Sequence, residues 1–488
     1  MKRTDRFKTI SQKLVYLVVA AFIGYFVFLA FSRHDNFYSR RVDLGNMDQT
    51  VWNVLHGNGF TLTDPMGTAQ ESRLAVHADF LLIFMAPFYL IWSNPKMLLL
   101  IQTTILGLGA IPVFWLARDK LKSLLLAFLF VLAYLLYPPQ QRLNLHDFHA
   151  VVLSGSFLLF AYWYMKKDNL LLFSVFAILA GLGKEQVWLT TGLMGLYFVI
   201  TKRHIAFGAI VAAVSFLIFY LLFWIFIPKV TPVGQHWALQ YLSEFGENQN
   251  QILKHIFTEP LIVVRDIFAP DRLFYYFQLL FPFGFLSLLS PLTLIYSAPS
   301  LAINVLSNNN LFRQIDYQYT STITPWIVIA SIEGYAVLQK FIKTFARRYS
   351  VIAKKYEIAC VYFIITVLTS SFLWGELPYE KSSRFFYFTG RQTELQTMKA
   401  VEREVDKQPQ KTVSVTNNIG AHFSQREFLY NYPVNAQTAD YSIIYLGDPY
   451  AWPSGDEQKR VLQQLLKNNR YQLFAQQGNF YAFRRVTI

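Results

Sequence analysis

The chain has a single cysteine, Cys360, and charged side chains at only 15% of its 488 positions. One cysteine excludes both a disulfide framework and a zinc site made of thiolates. Soluble proteins usually carry charge on about a quarter of their residues. A glycine-rich phosphate loop is absent, which argues against a nucleotide-driven pump. No contiguous basic face accompanies the net charge of +14, so nucleic acid is not an expected partner.

Hydrophobic residues make up 54% of the chain, and aromatic residues make up 17%. They are concentrated in apolar runs, several of which approach the roughly 20 residues that a helix needs to cross a bilayer. The runs are Leu14–Phe31, Met97–Leu116, Leu124–Tyr137, Val151–Tyr164, Leu170–Leu182, Val187–Ile200, Ile205–Ile227, Phe274–Leu289, Leu292–Leu306, Ile323–Leu338 and Ile358–Trp374. The pattern predicts a polytopic α-helical protein of the cell membrane with about eleven transmembrane helices.

One further apolar run, Phe80–Trp92, is predicted to lie along the membrane surface. Pro87 favours a bent segment there. If this run does not cross, five basic clusters share one side, which the positive-inside rule makes the cytoplasm. They lie near the N-terminus, at Arg118–Lys122, at Lys166/Lys167, at Lys202/Arg203 and within Lys340–Lys355. The N-terminus is then cytoplasmic and the C-terminus extracytoplasmic.

Two domains are expected: a transmembrane domain at 1–375, with an external loop at 33–95 that carries juxtamembrane helices, and a small extracytoplasmic α/β domain at 376–488. In the second domain, hydrophobic patterning predicts alternating helices and strands. The predicted helices are Thr393–Val405 and Glu457–Lys467, and the predicted strands are Thr412–Val415, Tyr441–Leu446 and a hairpin of Tyr471–Ala475 with Phe480–Arg484 around Gly478.

Two carboxylates, Asp43 and Asp48, follow the first apolar run in the stretch VDLGNMDQTVW. A carboxylate beside a membrane is costly to place unless it is solvated, paired or functional. Either Asp43 caps the helix predicted by the apolar stripe of Leu44, Met47 and Val51, or it faces a cavity as a general base. We place Asp48 among the substrate-binding candidates.

The turn NLHDFHAV brings together His146, Asp147 and His149. These residue types hold a metal ion, for which Mg or Mn is the candidate, or form an acid–base pair. A hydrogen-bonded turn at a helix start explains them nearly as well. His77 is a further substrate-binding candidate that would need a long-range contact to join such a site.

Charged and aromatic residues at two other helix ends are also candidates for substrate binding. Lys184 and Glu185 interrupt two apolar runs, either as an interfacial pair or with Lys184 as a phosphate ligand. Arg313 and Tyr317 lie in the stretch NNNLFRQIDYQYTSTITP, although a tyrosine near a membrane interface is commonplace.

The order of these motifs resembles the GT-C class of membrane glycosyltransferases, which use polyprenyl-phosphate-linked sugars. The local motifs are similar to those of a prokaryotic family of predicted membrane proteins known only as a domain of unknown function. They are Val42-Asp43-Leu44-Gly45, Met47-Asp48-Gln49, Asp147-Phe148-His149 and Lys184-Glu185-Gln186. The resemblance covers most of residues 35–335, and the chain departs from it at Gln186, where the family has an acid, and at Ala78-Asp79.

The resemblance implies that Asp43 is the catalytic base and Asp147 the acid of the second loop. The expected activity is inverting transfer of a sugar from a polyprenyl-phosphate donor to an extracytoplasmic glycan, lipid or protein acceptor. The alternatives are a transporter or lipid flippase that uses charged groups at the external face, and a non-catalytic membrane scaffold.

Overall fold

A computed structural model describes residues 3–349, 353–390, 393–449 and 451–486. The chain forms two compact units. The first unit comprises residues up to Phe26, Gln102–His146 and Val151–Phe385, and the second comprises Val27–Ile101, Asp147–Ala150 and the segment from Phe386 onward. The segment 33–95 therefore groups with the C-terminal segment rather than with the helices of the first unit.

Helices account for most of the described chain, as the apolar runs predict. Local capping explains several starts: the Ser123 hydroxyl accepts a hydrogen bond from the backbone N–H of Leu126, and Asn169 does the same for Leu172. The helices are Arg3–Asp35, Asn46–Leu55, Leu81–Tyr89, Lys96–Leu108, Ala110–Leu121, Leu124–Leu135, Pro138–His146, Ala150–Lys166, Leu170–Gly181, Val187–Ile200, Ile205–Tyr220, Ile227–Val230, Gln249–Thr258, Pro260–Ile267, Pro270–Leu280, Pro291–Leu294, Ala298–Leu306, Thr324–Tyr349, Ala353–Trp374, Phe385–Thr389, Leu395–Asp406 and Gly455–Leu466.

Within the described residues, five helical segments are long and apolar enough to cross a membrane. They are Gln12–Asp35, Lys96–Leu121, Leu124–His146, Ile205–Val230 and Glu357–Trp374. Shorter apolar helices cover Ala150–Lys166, Leu170–Gly181, Val187–Ile200 and Pro291–Leu306. The fold is thus a mostly helical membrane architecture, and the expectation of eleven spans stays a prediction.

The apolar run Phe274–Leu289 was expected to form one continuous helix, and this expectation is wrong, whereas its crossing of the membrane stays a prediction. The helix Pro270–Leu280 ends before Pro282, which has no N–H to donate, and Gly284 adopts a left-handed conformation with φ of +60°. Short 3₁₀ turns follow at Phe281–Phe283 and Leu286–Leu289. Within the run Phe80–Trp92, the helix Leu81–Tyr89 has only 9 residues and is too short to span a bilayer by itself, and its placement along the membrane surface stays a prediction.

In the part of the chain that the structure describes, seven strands form two sheets, both in the second unit. A hairpin pairs β1 (Thr61–Thr63) with β2 (Gln70–Ser72), which the sequence did not predict. The larger sheet has the order β4-β3-β5-β7-β6. Its strands are β3 (Val413–Val415), β4 (Leu429–Asn431), β5 (Tyr441–Tyr445), β6 (Tyr471–Gln477) and β7 (Phe480–Arg485). β3 lies parallel to β4 and β5, whereas β7 is antiparallel to β5 and β6.

One helix packs on each face of the larger sheet. Met398 and Val401 of Leu395–Asp406 lie in a core cluster with Ile443. Leu462 of Gly455–Leu466 lies in a second cluster with Ile444. Because neighbouring residues of a strand point to opposite faces, Ile443 and Ile444 show that the two helices cover opposite sides. The C-terminal segment thus carries a small sheet with a helix on each face, and a separate domain with the predicted bounds 376–488 stays a prediction.

Candidate functional site

Asp43 lies on a single π-helical turn, Arg41–Gly45, that leads into the helix Asn46–Leu55. Such turns are frequent at functional sites. The backbone N–H of Val42 donates to the side-chain oxygen of Asn417 at 3.1 Å, which ties this turn to the end of β3. The Asp43 side chain is 17% exposed, and its Oδ1 lies 3.3 Å from Nε2 of His149. Asp43 is therefore held by an imidazole while it remains accessible to a ligand.

Asp147 is buried and forms an ion pair with Arg33, which belongs to the last turn of the first helix. A second guanidinium nitrogen of Arg33 lies 3.3 Å from Oδ2 of Asp147. The backbone N–H of Arg40 donates to the same oxygen at 3.2 Å. These donors occupy the Asp147 carboxylate, so its geometry suits the positioning of Arg33 and Arg40 better than proton transfer.

Arg40 and Arg41 are neighbours with different surroundings. Arg41 is fully buried and donates to the backbone oxygens of Leu429 and Asp64 at 3.2 and 3.0 Å, so it is a structural anchor. Arg40 is 29% exposed, and its Nη2 lies 3.5 Å from Oδ1 of Asp448. The Asp448 carboxylate therefore orients the Arg40 side chain, which is still accessible to a ligand.

Asp448 enters from the loop after β5, directly after Gly447, whose φ is +97°. The sequence analysis missed Asp448. A signal existed, because ligand sites in α/β sheets lie beyond the carboxyl ends of parallel strands, and a Gly-Asp pair follows such a strand here. We call the set Asp43, Asp147, His149, Arg33, Arg40 and Asp448 the Asp43 cluster.

Asp48 is buried, whereas the Asp43 side chain is partly exposed. Asp48 is fully buried and accepts hydrogen bonds from the Tyr89 hydroxyl (2.5 Å), the Ser424 hydroxyl (2.7 Å) and the Gln425 amide (3.2 Å). Burial raises the pKa of Asp48 to about 6, although these three hydrogen bonds lower it. Its placement is that of a structural carboxylate, and its role in substrate binding stays a prediction.

Asp48→Asn should flatten the pH dependence of stability between about pH 4 and pH 6. The pKa of Asp48 is raised in the folded state, so the folded protein binds more protons in this window and loses stability as the pH rises. For a shift of this size the effect is roughly 1–3 kcal/mol. Thermal unfolding at pH 4 and pH 7 measures it. Burial also raises the pKa of Glu71, but Glu71 contributes equally to the pH dependence of the wild type and of the variant. An identical pH dependence in wild type and variant would contradict the assignment.

His77 belongs to the second unit and is half-buried. Its backbone N–H donates to the backbone oxygen of Arg73 at 3.1 Å. Nearby, the Arg73 guanidinium forms a buried ion pair with Asp79, with the Nε to Oδ1 distance 2.9 Å. The unexpected Ala78-Asp79 sequence after His77 is therefore explained by this structural pair, and the role of His77 in binding stays a prediction.

The remaining candidates belong to the first unit. Glu185 is buried with one carboxylate oxygen 3.0 Å from Nε2 of His236, a residue that sequence reasoning missed. The ring of His146 lies 4.6 Å from that of Tyr317. Lys184 is half-buried. Their roles in substrate binding stay predictions.

Arg313 is anchored within the first unit. Its Nε lies 3.1 Å from Oδ2 of Asp271, and it donates to the backbone oxygen of Ser307 and the side chain of Asn310. With its donors used in this way, Arg313 fits the role of a loop anchor better than that of a phosphate ligand.

The proposed metal ligands differ in their fit to a divalent cation. Asp147 fits poorly, because the Arg33 guanidinium already neutralises it. Asp43 and His149 place one carboxylate oxygen and one imidazole nitrogen 3.3 Å apart. Such a mixed pair suits Mn²⁺ better than Mg²⁺, which prefers oxygen ligands. The second unit therefore favours Asp43 and His149 as the holders of any bound ion.

Apolar helices of spanning length are typical of a membrane protein, and the second unit carries the charged Asp43 cluster, to which the C-terminal segment contributes Asp448. The chain matches the family described as "Predicted membrane protein (DUF2079)" over residues 33–481, and it belongs to that family. None of the curated proteins matches it.

Proposed function

We propose that this protein is a GT-C-type glycosyltransferase that moves a sugar from a polyprenyl-phosphate donor to an extracytoplasmic acceptor, with inversion at the anomeric carbon. The observation that carries the proposal is the position of Asp43, 17% exposed and paired with His149. An accessible carboxylate with an adjacent imidazole has the chemistry of a general base. Arg40, also accessible, supplies positive charge for a phosphate.

The proposed step is a single displacement. The oxygen of an acceptor hydroxyl attacks the anomeric carbon as its proton passes to Asp43. A new carbon–oxygen bond forms, and the bond from the anomeric carbon to the phosphate oxygen breaks. The bonding electrons leave with polyprenyl phosphate, whose charge Arg40 stabilises. In this scheme, His149 orients Asp43, and Asp147 positions Arg33 and the backbone N–H of Arg40.

The proposed topology has eleven spans, with the N-terminus in the cytoplasm and the C-terminal domain outside the cell. Helices such as Leu170–Gly181, with 12 residues, would then need neighbouring helices and flanking residues to complete the crossing. The basic residues on the loops between helices support this orientation through the positive-inside rule. A divalent cation at Asp43 and His149 belongs to the same proposal and would supply charge stabilisation.

The proposal is tested with the purified full-length protein in lipid nanodiscs. Polyprenyl-phosphate sugars and the matching nucleotide sugars are supplied separately with a membrane glycolipid fraction as acceptor. Transfer from the lipid-linked donor alone, with release of polyprenyl phosphate and an inverted linkage by NMR, is the expected result. Transfer from nucleotide sugars alone, or a retained configuration, would contradict it.

A second candidate function is proton-coupled transport. Glu185 and His236 form a buried pair, with 4% and 3% of their side chains exposed. Buried ionisable pairs in membrane proteins are typical of proton relays. Proton-coupled flux in liposomes that is lost in His236→Gln, without any glycosyl transfer, would favour this function over the first.

A further inference from the structure

A cavity of about 230 Å³ lies between three helices of the first unit, and its lining includes none of the residues of the Asp43 cluster. Its wall combines basic residues with aromatic rings: Lys120, Lys166 and Lys167 line it together with Tyr162 and Trp163. These side chains come from the end of the helix Ala110–Leu121 and from the end of Ala150–Lys166. Both helix ends carry the basic residues that the positive-inside rule assigns to the cytoplasm.

The Lys166 ammonium group has aromatic neighbours, and within the described ranges it has no carboxylate in contact. Its Nζ lies 4.9 Å from the centre of the Tyr162 ring and 4.6 Å from that of Tyr197. Its distance to the Tyr197 hydroxyl is 3.4 Å. Among the described residues, no carboxylate lies within 4.0 Å of the Nζ atom of Lys166 or Lys120. By contrast, Lys167 pairs with Asp119.

Glu333 also lines the cavity but does not neutralise these lysines by direct contact. Its carboxylate accepts hydrogen bonds from the hydroxyls of Tyr162 and Ser290, both at 2.9 Å, and from that of Thr293. The hydroxyl groups hold it in place and occupy its oxygens. Two cationic side chains that face a cavity without a contacting carboxylate define a site for an anion.

From this geometry we infer that the cavity binds the phosphate of an anionic membrane lipid headgroup through Lys166 and Lys120. Exposed apolar side chains on the following helices, Leu125 at 64% and Leu171 at 74%, offer a surface for acyl chains. Trp163 packs against Trp115 at 5.4 Å, and tryptophan is enriched at membrane interfaces. Basic pockets between helices on the cytoplasmic side are known lipid headgroup sites. The inference does not depend on the proposed transferase activity.

The test measures binding to the detergent-purified full-length protein by native mass spectrometry. The probes are short-chain phosphatidylglycerol, short-chain phosphatidylcholine and inorganic phosphate, each titrated separately. Phosphatidylglycerol should bind more tightly than phosphatidylcholine. Lys166→Gln should weaken it about fivefold, since one lysine near a membrane surface contributes about that factor. Lys120→Gln should have a similar effect, and because Lys120 is exposed, this variant should fold as the wild type does.

Lys122→Gln is the matched control, because it removes the same charge two residues from Lys120 on an exposed side chain outside the cavity lining. Its affinity for phosphatidylglycerol should stay within about twofold of wild type. If inorganic phosphate binds as tightly as the lipid, the cavity is an anion site for a soluble ligand, and the assignment to a lipid headgroup is wrong. Equal lipid binding by wild type, Lys122→Gln and the Lys120/Lys166 double variant would overturn the inference.

Discussion

We expect Asp43→Asn to lower the proposed glycosyl transfer by about 100- to 10,000-fold, the range that a general base contributes. The asparagine keeps the size of the side chain and its oxygen beside His149, but it cannot accept the acceptor proton at neutral pH. The Asp43 side chain is 17% exposed, so removal of its charge should change the free energy of unfolding little. The measurement is the initial rate of sugar transfer in nanodiscs, together with the melting temperature of the same preparation.

The control for charge loss is Asp456→Asn, because Asp456 belongs to the same unit and its side chain is 98% exposed. This variant should transfer sugar at the wild-type rate. Wild-type rates in Asp43→Asn as well would remove Asp43 from the chemistry. A melting temperature that collapses in Asp43→Asn would instead make Asp43 a structural residue, with a role like that of Asp48.

Asp147→Asn is expected to destabilise the protein by about 3–5 kcal/mol. The substitution removes the negative charge that faces Arg33, and both side chains are buried, with 9% of Arg33 and none of Asp147 exposed. Without its partner, the guanidinium would remain in a poorly solvated position beside the ring of Phe388, whose centre lies 5.5 Å away. Thermal and denaturant unfolding at fixed detergent concentration measure this loss.

The matched control replaces both members of the pair, Arg33→Met together with Asp147→Leu. Replacement of a buried ion pair by apolar residues of similar volume is often neutral for stability. The double variant should therefore unfold at a temperature nearer the wild type than the single variant does. Its transfer activity should stay low, because Arg40 loses the carboxylate that accepts from its backbone N–H. Equal stability of the single and double variants would show that the pair is not coupled.

Much of the secondary structure could be predicted from local patterns. The apolar runs at Leu170–Leu182 and Val187–Ile200 correspond to the helices Leu170–Gly181 and Val187–Ile200, because helix formation there depends on neighbouring residues. The β6–β7 hairpin was predicted for the same reason, from Gly478 between two strand-forming runs. Apolar length alone did not predict the break at Pro282 and Gly284, because the run stays hydrophobic through it.

The candidate site was only partly predictable. Asp43 and His149 were chosen from motifs, and the structure places Oδ1 of Asp43 at 3.3 Å from Nε2 of His149. Asp448 was missed because it is 405 positions from Asp43: the Gly-Asp pair after β5 indicates the end of a strand, but it does not report the contact of Asp448 with Arg40. Arg33 was missed because a basic residue after an apolar run is commonplace at a membrane interface.

The sequence by itself determined that this is a membrane protein of apolar helices with an α/β segment near its C-terminus, because hydrophobic length and periodicity are local properties. Only the tertiary structure distinguished the two carboxylates of the first motif, Asp43 accessible beside His149 and Asp48 buried under three hydrogen bonds. Burial and hydrogen-bond partners set the chemistry of a carboxylate, and both are determined by residues distant in the chain.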